Sequence, residues 1–167
     1  MKTIKLSCAH ALFKFLIAQK TIIDEKKVPL FPGAFAIYGH GNVACLGQAM
    51  EEFQSDLPGY RGHHEQSMAL SGIGYARAMR RKQIFIATSS SGPGAMNMVT
   101  AAGVALSNRL PLLLLPGDVF ASRFPDPVLQ QVENFNSPVE NQNDAFKPVS
   151  KFFDRITRPE QILNSLP

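Results

Sequence analysis

The sequence predicts an α/β fold with a mostly parallel sheet and helices on both faces. Three observations predict it. Helical apolar periodicity alternates along the chain with short apolar runs, those runs end in Gly-rich or acidic turns, and residues 111–116 are almost all leucine. A run that is apolar on every side belongs to a parallel strand covered by helices. The chain has 167 residues, which suits one domain or a domain with a short tail. A domain of this size buries roughly 70% of its unfolded surface, enough for a core without staples.

The elements follow in order. Ser7 is placed to cap a first helix, because Ala9, Leu12, Phe13, Leu16 and Ile17 repeat at helical spacing. Residues 24–32 are charged and contain proline, and read as a loop. Residues 34–38 form a short buried strand that ends in Gly39-His40-Gly41-Asn42. A second helix follows, with Val43, Leu46, Gly47 and Met50 inward. Pro58-Gly59-Tyr60-Arg61-Gly62 is turn chemistry.

From Glu65 a third helix runs to about residue 80, with Met68, Gly72, Tyr75 and Met79 on one stripe. Its interior glycines cost roughly 1 kcal/mol each against alanine, so something packs close to it. Residues 83–88 form the next strand, Ser89-Ser90-Ser91-Gly92-Pro93-Gly94 a Gly-rich turn, and residues 95–108 one further helix. Residues 111–116 form a core strand buried on both faces. Residues 121–143, with Pro125, Pro127 and Pro138, read as an irregular excursion holding a short helix at 128–135. Near the end, Thr157-Arg158-Pro159-Glu160 has the form of a capping box that opens a helix. Only seven residues follow Glu160, as expected of a chain cut at a domain boundary. The domain division expected is one domain over 1–167, with a core to about 150 and residues 151–167 beginning a linker to a middle domain.

Composition excludes several classes. Hydrophobic residues make up 45% and charged residues 18%, which excludes a disordered chain. The longest strongly apolar run is far too short to span a bilayer, and no leader pattern opens the chain. Two cysteines, Cys8 and Cys45, exclude a disulfide framework and suit a cytoplasmic protein. The formal charge of +4 suggests nucleic acid, but its distribution does not. Arg77, Arg80, Arg81 and Lys82 cluster at one helix end, where they complement the dipole. Basic residues interleaved with aromatics are missing, so no nucleic-acid partner is expected.

Three sets of residues could carry chemistry. Glu65 opens the third helix after Gly62-His63-His64. Its plain reading is a first-turn carboxylate favoured by the helix dipole. Its functional reading is an acid among small or apolar neighbours, where loss of water lets a carboxyl share a proton with a ligand nitrogen. His40 and His63 read as polar walls of a cleft or as ordinary loop histidines. Adjacent His63 and His64 point opposite ways on an extended segment, and no HExxH or C-x-x-C spacing occurs, so no metal site is expected within this chain. Ser91-Gly92-Pro93-Gly94 precedes a helix, allowing close backbone approach to a ligand. Such a turn also serves plain strand-to-helix geometry.

Taken in order, these motifs resemble the pyrimidine-binding domain of thiamine-diphosphate enzymes of the acetohydroxyacid synthase type. The resemblance is carried by His64-Glu65-Gln66 opening a small-residue helix with Gly74-Tyr75-Ala76-Arg77, and by Thr88-Ser89-Ser90-Ser91-Gly92-Pro93-Gly94-Ala95-Met96-Asn97. Leu110-Pro111-Leu112-Leu113-Leu114-Leu115-Pro116-Gly117-Asp118 completes it. Gly39-His40-Gly41-Asn42, Pro125-Asp126-Pro127-Val128-Leu129-Gln130-Gln131 and Arg155-Ile156-Thr157-Arg158-Pro159-Glu160-Gln161 are similar to the branch that hydrolyses a ring C–C bond in inositol catabolism.

The resemblance implies a catalytic Glu65 that hydrogen-bonds N1′ of the aminopyrimidine and favours its imino form. It implies thiamine diphosphate contacts from Glu65, Gly92, Pro93, Gly94 and Asn97, and substrate contacts from His40 and His63. The implied substrate is the cyclic diketone trihydroxycyclohexane-1,2-dione, opened to 5-deoxyglucuronate. The segment before the glutamate usually reads Gly-Arg-Asn-Glu-Gln in that branch, whereas here it is Gly62-His63-His64-Glu65-Gln66. The Gly-Asp-Gly to Asn-Asn segment that holds Mg²⁺ and the diphosphate does not occur. The implied partners are therefore the remaining domains of the same enzyme and at least one further copy, and this chain alone is expected to be inactive. An acetohydroxyacid synthase-like fragment and a non-catalytic binding domain are the alternative readings.

Overall fold

The parallel sheet is centred on two short strands, β3 (Ala34–Ala36) and β5 (Ile86–Ser89), in a computed structural model that describes residues 3–121, 130–137 and 140–166. Helix α1 (Cys8–Ala18) comes first, and the Ser7 side chain accepts the His10 N–H at its N-terminus. A hairpin follows, β1 (Lys20–Ile23) with β2 (Lys26–Pro29), paired Ile23 to Lys26. The loop expected over residues 24–32 is therefore mostly hairpin. Asp24 and Glu25 both take positive φ, 47° and 64°, the geometry of a type I′ turn without the usual Asn or Gly.

After β3 come α2 (Leu46–Glu52) and β4 (Gly59–Arg61), then α3 (Glu65–Ala78) and β5. The segment read as a turn at Pro58 to Gly62 thus contains an edge strand. Next are α4 (Pro93–Met96), α5 (Val99–Asn108) and β6 (Leu113–Pro116). A 3₁₀ helix (Gln142–Val149), a 3₁₀ turn (Pro159–Gln161) and α6 (Ile162–Ser165) close the chain. The strand order is β4-β3-β5-β6, every pair parallel.

Period-two alternation in the strands feeds two cores. Ala34, Ala36 and Ile86 join Phe13, Leu16, Met50, Phe53 and Leu57. Ala87 joins Ala69, Ile73, Met98, Ala101, Ala102 and Ala105, with Phe35 packed against them. Helices therefore cover both faces, as expected of the fold class.

Four further expectations change. The single helix over 95–108 starts earlier, at Pro93, whose fixed φ suits a first helical turn. It breaks near Asn97, where the Met98 N–H bonds back three residues to Ala95 O. Strand β6 is half-buried rather than fully buried, because it is an edge strand. The helix expected at 128–135 is not found over residues 130–135, and its first two residues lie outside the described ones, as do Pro125, Pro127 and Pro138. The last segment does turn helical, but Gln161 rather than Glu160 receives the Thr157 and Arg158 N–H groups, at 2.7 and 2.8 Å. No helix among the described residues is long and apolar enough to cross a membrane.

Candidate functional site

In an open parallel sheet the functional loops lie past the carboxyl ends of the strands. Here those loops interlock. The Asn42 amide donates to Ser89 O at 2.9 Å, and the Asn143 amide to Gly117 O at 2.8 Å. A Cβ on Gly39 would overlap Ser90, and one on Gly117 would stand 2.7 Å from Ser91 N. The loops after β3, β5 and β6 are thus packed at backbone distance.

Glu65 is the first residue of α3. His64 caps that helix, its Nδ1 accepting the Ser67 N–H at 3.2 Å. Histidine is outside the usual set of capping residues, so this role was not legible in the sequence. Across from Glu65 the chain leaves β5 through Ser90 and Ser91, turns at Gly92 with φ 62°, and enters α4. The Asn97 side chain at the end of α4 donates to Glu65 Oε2 at 2.8 Å and lies 3.3 Å from His64 Nε2. Among the described residues no donor reaches Glu65 Oε1. A Cβ at Gly94 would stand 3.1 Å from that oxygen and overlap Ser90 Oγ. Glycine at 94 therefore lets the turn approach the carboxylate.

Glu65, Ser90, Pro93, Gly94, Met96, Asn97 and Gln130 line a cleft of about 640 Å³. Four predicted residues, Glu65, Pro93, Gly94 and Asn97, meet there, and Gly92 supplies the bend that begins their turn. His40 and His63 are exposed and lie outside the lining. Ser90 and Gln130 line the cleft without having been singled out. Ser90 stood unremarked in a serine run, and Gln130 reaches the site from 36 residues beyond Gly94, a proximity that no local pattern announces.

Beside the loop after β6, Arg155 bridges Asp118 at 2.9 Å and Asp144 at 2.8 Å, and Lys147 reaches Asp144 at 3.0 Å. Burial works against the Asp144 charge, but hydrogen bonds from Lys147, the Asn141 N–H and Arg155 outweigh it and hold its carboxyl below the ordinary range. Among the described residues no group of three or more His, Cys, Asp or Glu side chains could hold a metal ion.

This sheet and turn define a class of protein. The family described as thiamine pyrophosphate enzyme, N-terminal TPP binding domain, matches residues 33–137, and the chain belongs to it. It is also 52% identical over 166 residues to the 3D-(3,5/4)-trihydroxycyclohexane-1,2-dione hydrolase of Clostridium tetani (strain Massachusetts / E88). The protein of the same name from Geobacillus thermodenitrificans (strain NG80-2) is 52% identical over 166 residues, and that from Bacillus subtilis (strain 168) is 50% identical over 165. Each match covers 99% of this chain and 26% of the relative, so the chain spans about a quarter of the length of these relatives.

The residues fit the group that the family implies. One carboxylate oxygen lacks a partner among the described residues, and it borders a cleft of about 640 Å³.

Proposed function

We propose that this chain is the pyrimidine-binding part of a thiamine-diphosphate-dependent hydrolase that opens trihydroxycyclohexane-1,2-dione to 5-deoxyglucuronate in the cytoplasm. The observation that carries the reading is Glu65 at the head of α3, with Oε2 held by Asn97 and Oε1 set against Gly94. The names of the relatives, and the likeness of the motifs to the inositol branch, support the substrate.

Glu65 would bind the ring nitrogen of the aminopyrimidine and hold or release a proton at Oε1. Asn97 fixes the other oxygen, which leaves that proton one address. Pro93 and Met96 give the cleft an apolar lining, and a hydrogen bond gains strength where water competes poorly. The backbone at Gly92, Pro93 and Gly94 would lie along the cofactor, and His40 and His63 on exposed loops would meet the diketone. When bound, thiamine diphosphate supplies the carbon nucleophile that the side chains lack. Mg²⁺ and the diphosphate would be held by a further domain, contributed by a second copy of the enzyme.

The test has two arms. With thiamine diphosphate, Mg²⁺ and the dione, this chain alone is expected to give no turnover; turnover above a blank would overturn the division of the site. In the longer enzyme, Glu65→Gln is expected to slow exchange of the cofactor C2 proton about 10²–10⁴-fold, the range of a positioned acid–base group. Quenched proton NMR measures that exchange. Equal rates in wild type and variant would return Glu65 to a carboxylate on a helix dipole.

A further inference from the structure

Outside that cleft, three side chains join the starts of α1 and the end of α2. Ser7 Oγ lies 2.6 Å from His10 Nδ1, and His10 Nε2 lies 2.9 Å from Glu52 Oε2. Ser7 Oγ also accepts the His10 backbone N–H at 3.2 Å. One neutral tautomer of His10 satisfies both side-chain bonds. An ionised carboxylate only accepts, so Nε2 carries the hydrogen that faces Glu52. The neutral ring then offers Nδ1 as a lone pair. The cap uses a lone pair of the Ser7 oxygen and leaves its hydrogen free to point at Nδ1.

The ring is held on its other side as well, edge-on to Phe53 with centroids 6.0 Å apart. His10 is thereby pinned between two helices, while Ser7 is exposed to solvent. A hydroxyl within hydrogen-bond reach of an imidazole, itself oriented by a carboxylate, is the arrangement that activates a serine. Ser7 also sits at a helix N-terminus, whose first-turn N–H groups and dipole favour negative charge. Here they would favour the charge that develops on an attacked acyl or phosphoryl oxygen.

We propose that Ser7 is an activated nucleophile, an acceptor for small acyl and phosphoryl esters, with His10 as its base and Glu52 as the group that orients His10. Ser7 Oγ attacks the acyl carbon or phosphorus while its proton passes to His10 Nδ1. The new Oγ–C or Oγ–P bond forms as the bond to the leaving group breaks. The leaving group departs with that electron pair and takes the proton from His10. No oxidant, metal or cofactor is required, and the reaction is independent of the thiamine site.

The probe is a fluorophosphonate, whose leaving group is fluoride, applied to the whole chain and located by peptide mass spectrometry. The expected result is label on Ser7, with the rate reduced about 100-fold in His10→Ala and His10→Gln, the low end for a positioned base. Glu52→Gln is expected to give an intermediate rate, since its amide oxygen still accepts from Nε2. Ser7→Asn keeps a capping acceptor and should take no label while its circular dichroism matches wild type. Absence of label on Ser7, or equal labelling rates in wild type and both folded His10 variants, would overturn the proposal.

Discussion

On one face of the sheet, α1 and α2 press Phe13, Leu16, Met50 and Phe53 onto Ala34, Ala36 and Ile86. On the other, α3 and α5 meet the sheet through Ala69, Ala87, Ala101, Ala102 and Ala105. The large side chains of the first face remove much apolar area from water at roughly 25 cal/mol per Å². The alanines of the second bury less, but they let backbones approach. At Gly72 of α3 a Cβ would already stand 2.9 Å from Leu112 Cδ1. On this same side the head of α3 meets the end of α4, with Glu65 and Asn97 2.8 Å apart. One face chiefly supplies stability and the other chiefly supplies placement.

Three perturbations separate those roles. Phe13 is 1% exposed, and Phe13→Ala is expected to cost about 3–5 kcal/mol in urea unfolding. The Asn97 side-chain amide resonances should stay where they are in the folded fraction. Ala101 is fully buried, and Ala101→Leu is expected to cost about 1–3 kcal/mol through overpacking. It should also shift the Asn97 amide resonances, because α5 is pushed away from α3. If Phe13→Ala moves those resonances and Ala101→Leu does not, the distinction between the faces fails.

The smallest effect concerns acid. Asp144 has its carboxyl held below the ordinary value of 3.8, so its stabilising contribution is present above that value and is lost as pH falls through the lower folded one. Asp144→Asn should therefore flatten the acid limb of the unfolding midpoint measured below about pH 4, without changing its slope near neutrality. Asp144 lies in the same 3₁₀ helix as Phe146, a member of the small-residue core, so this limb reports on that face. An unchanged acid limb would detach the ion cluster from the stability of the fold.

The parts of the fold that were legible in the sequence are those written locally. Ser7 capping α1, Met68 and Gly72 on the inner face of α3 and the bend at Gly92 follow from residue chemistry at fixed spacing, whereas Ala69, Ile73 and Ala76 rather than Tyr75 and Met79 complete that face. The hairpin at Asp24 and Glu25 was not legible, because two ordinary acidic residues adopt positive φ there and strand pairing holds them in it. Strand β4 carried turn residues, and its pairing with β3 decided its conformation. Of the candidate site, the order of motifs pointed to Glu65 and to the turn from Gly92 to Gly94. The contact between Asn97 and His64 and the arrival of Gln130 come from tertiary approach, which spacing along the chain does not encode, whereas the cap formed by His64 is local and was hidden by its residue type.

Gly39 and Ser90 touch so closely that neither position can accept a larger residue on its own. A Cβ at 39 would overlap Ser90, and a bulkier residue at 90 would meet the bare Gly39 backbone and the turn at Gly94. For a lineage drifting by single codon changes, these positions form a lock. Each admits only silent or near-silent exchanges until its neighbour changes, so the rim of the cleft should diversify by paired steps while the exposed hairpin drifts one residue at a time.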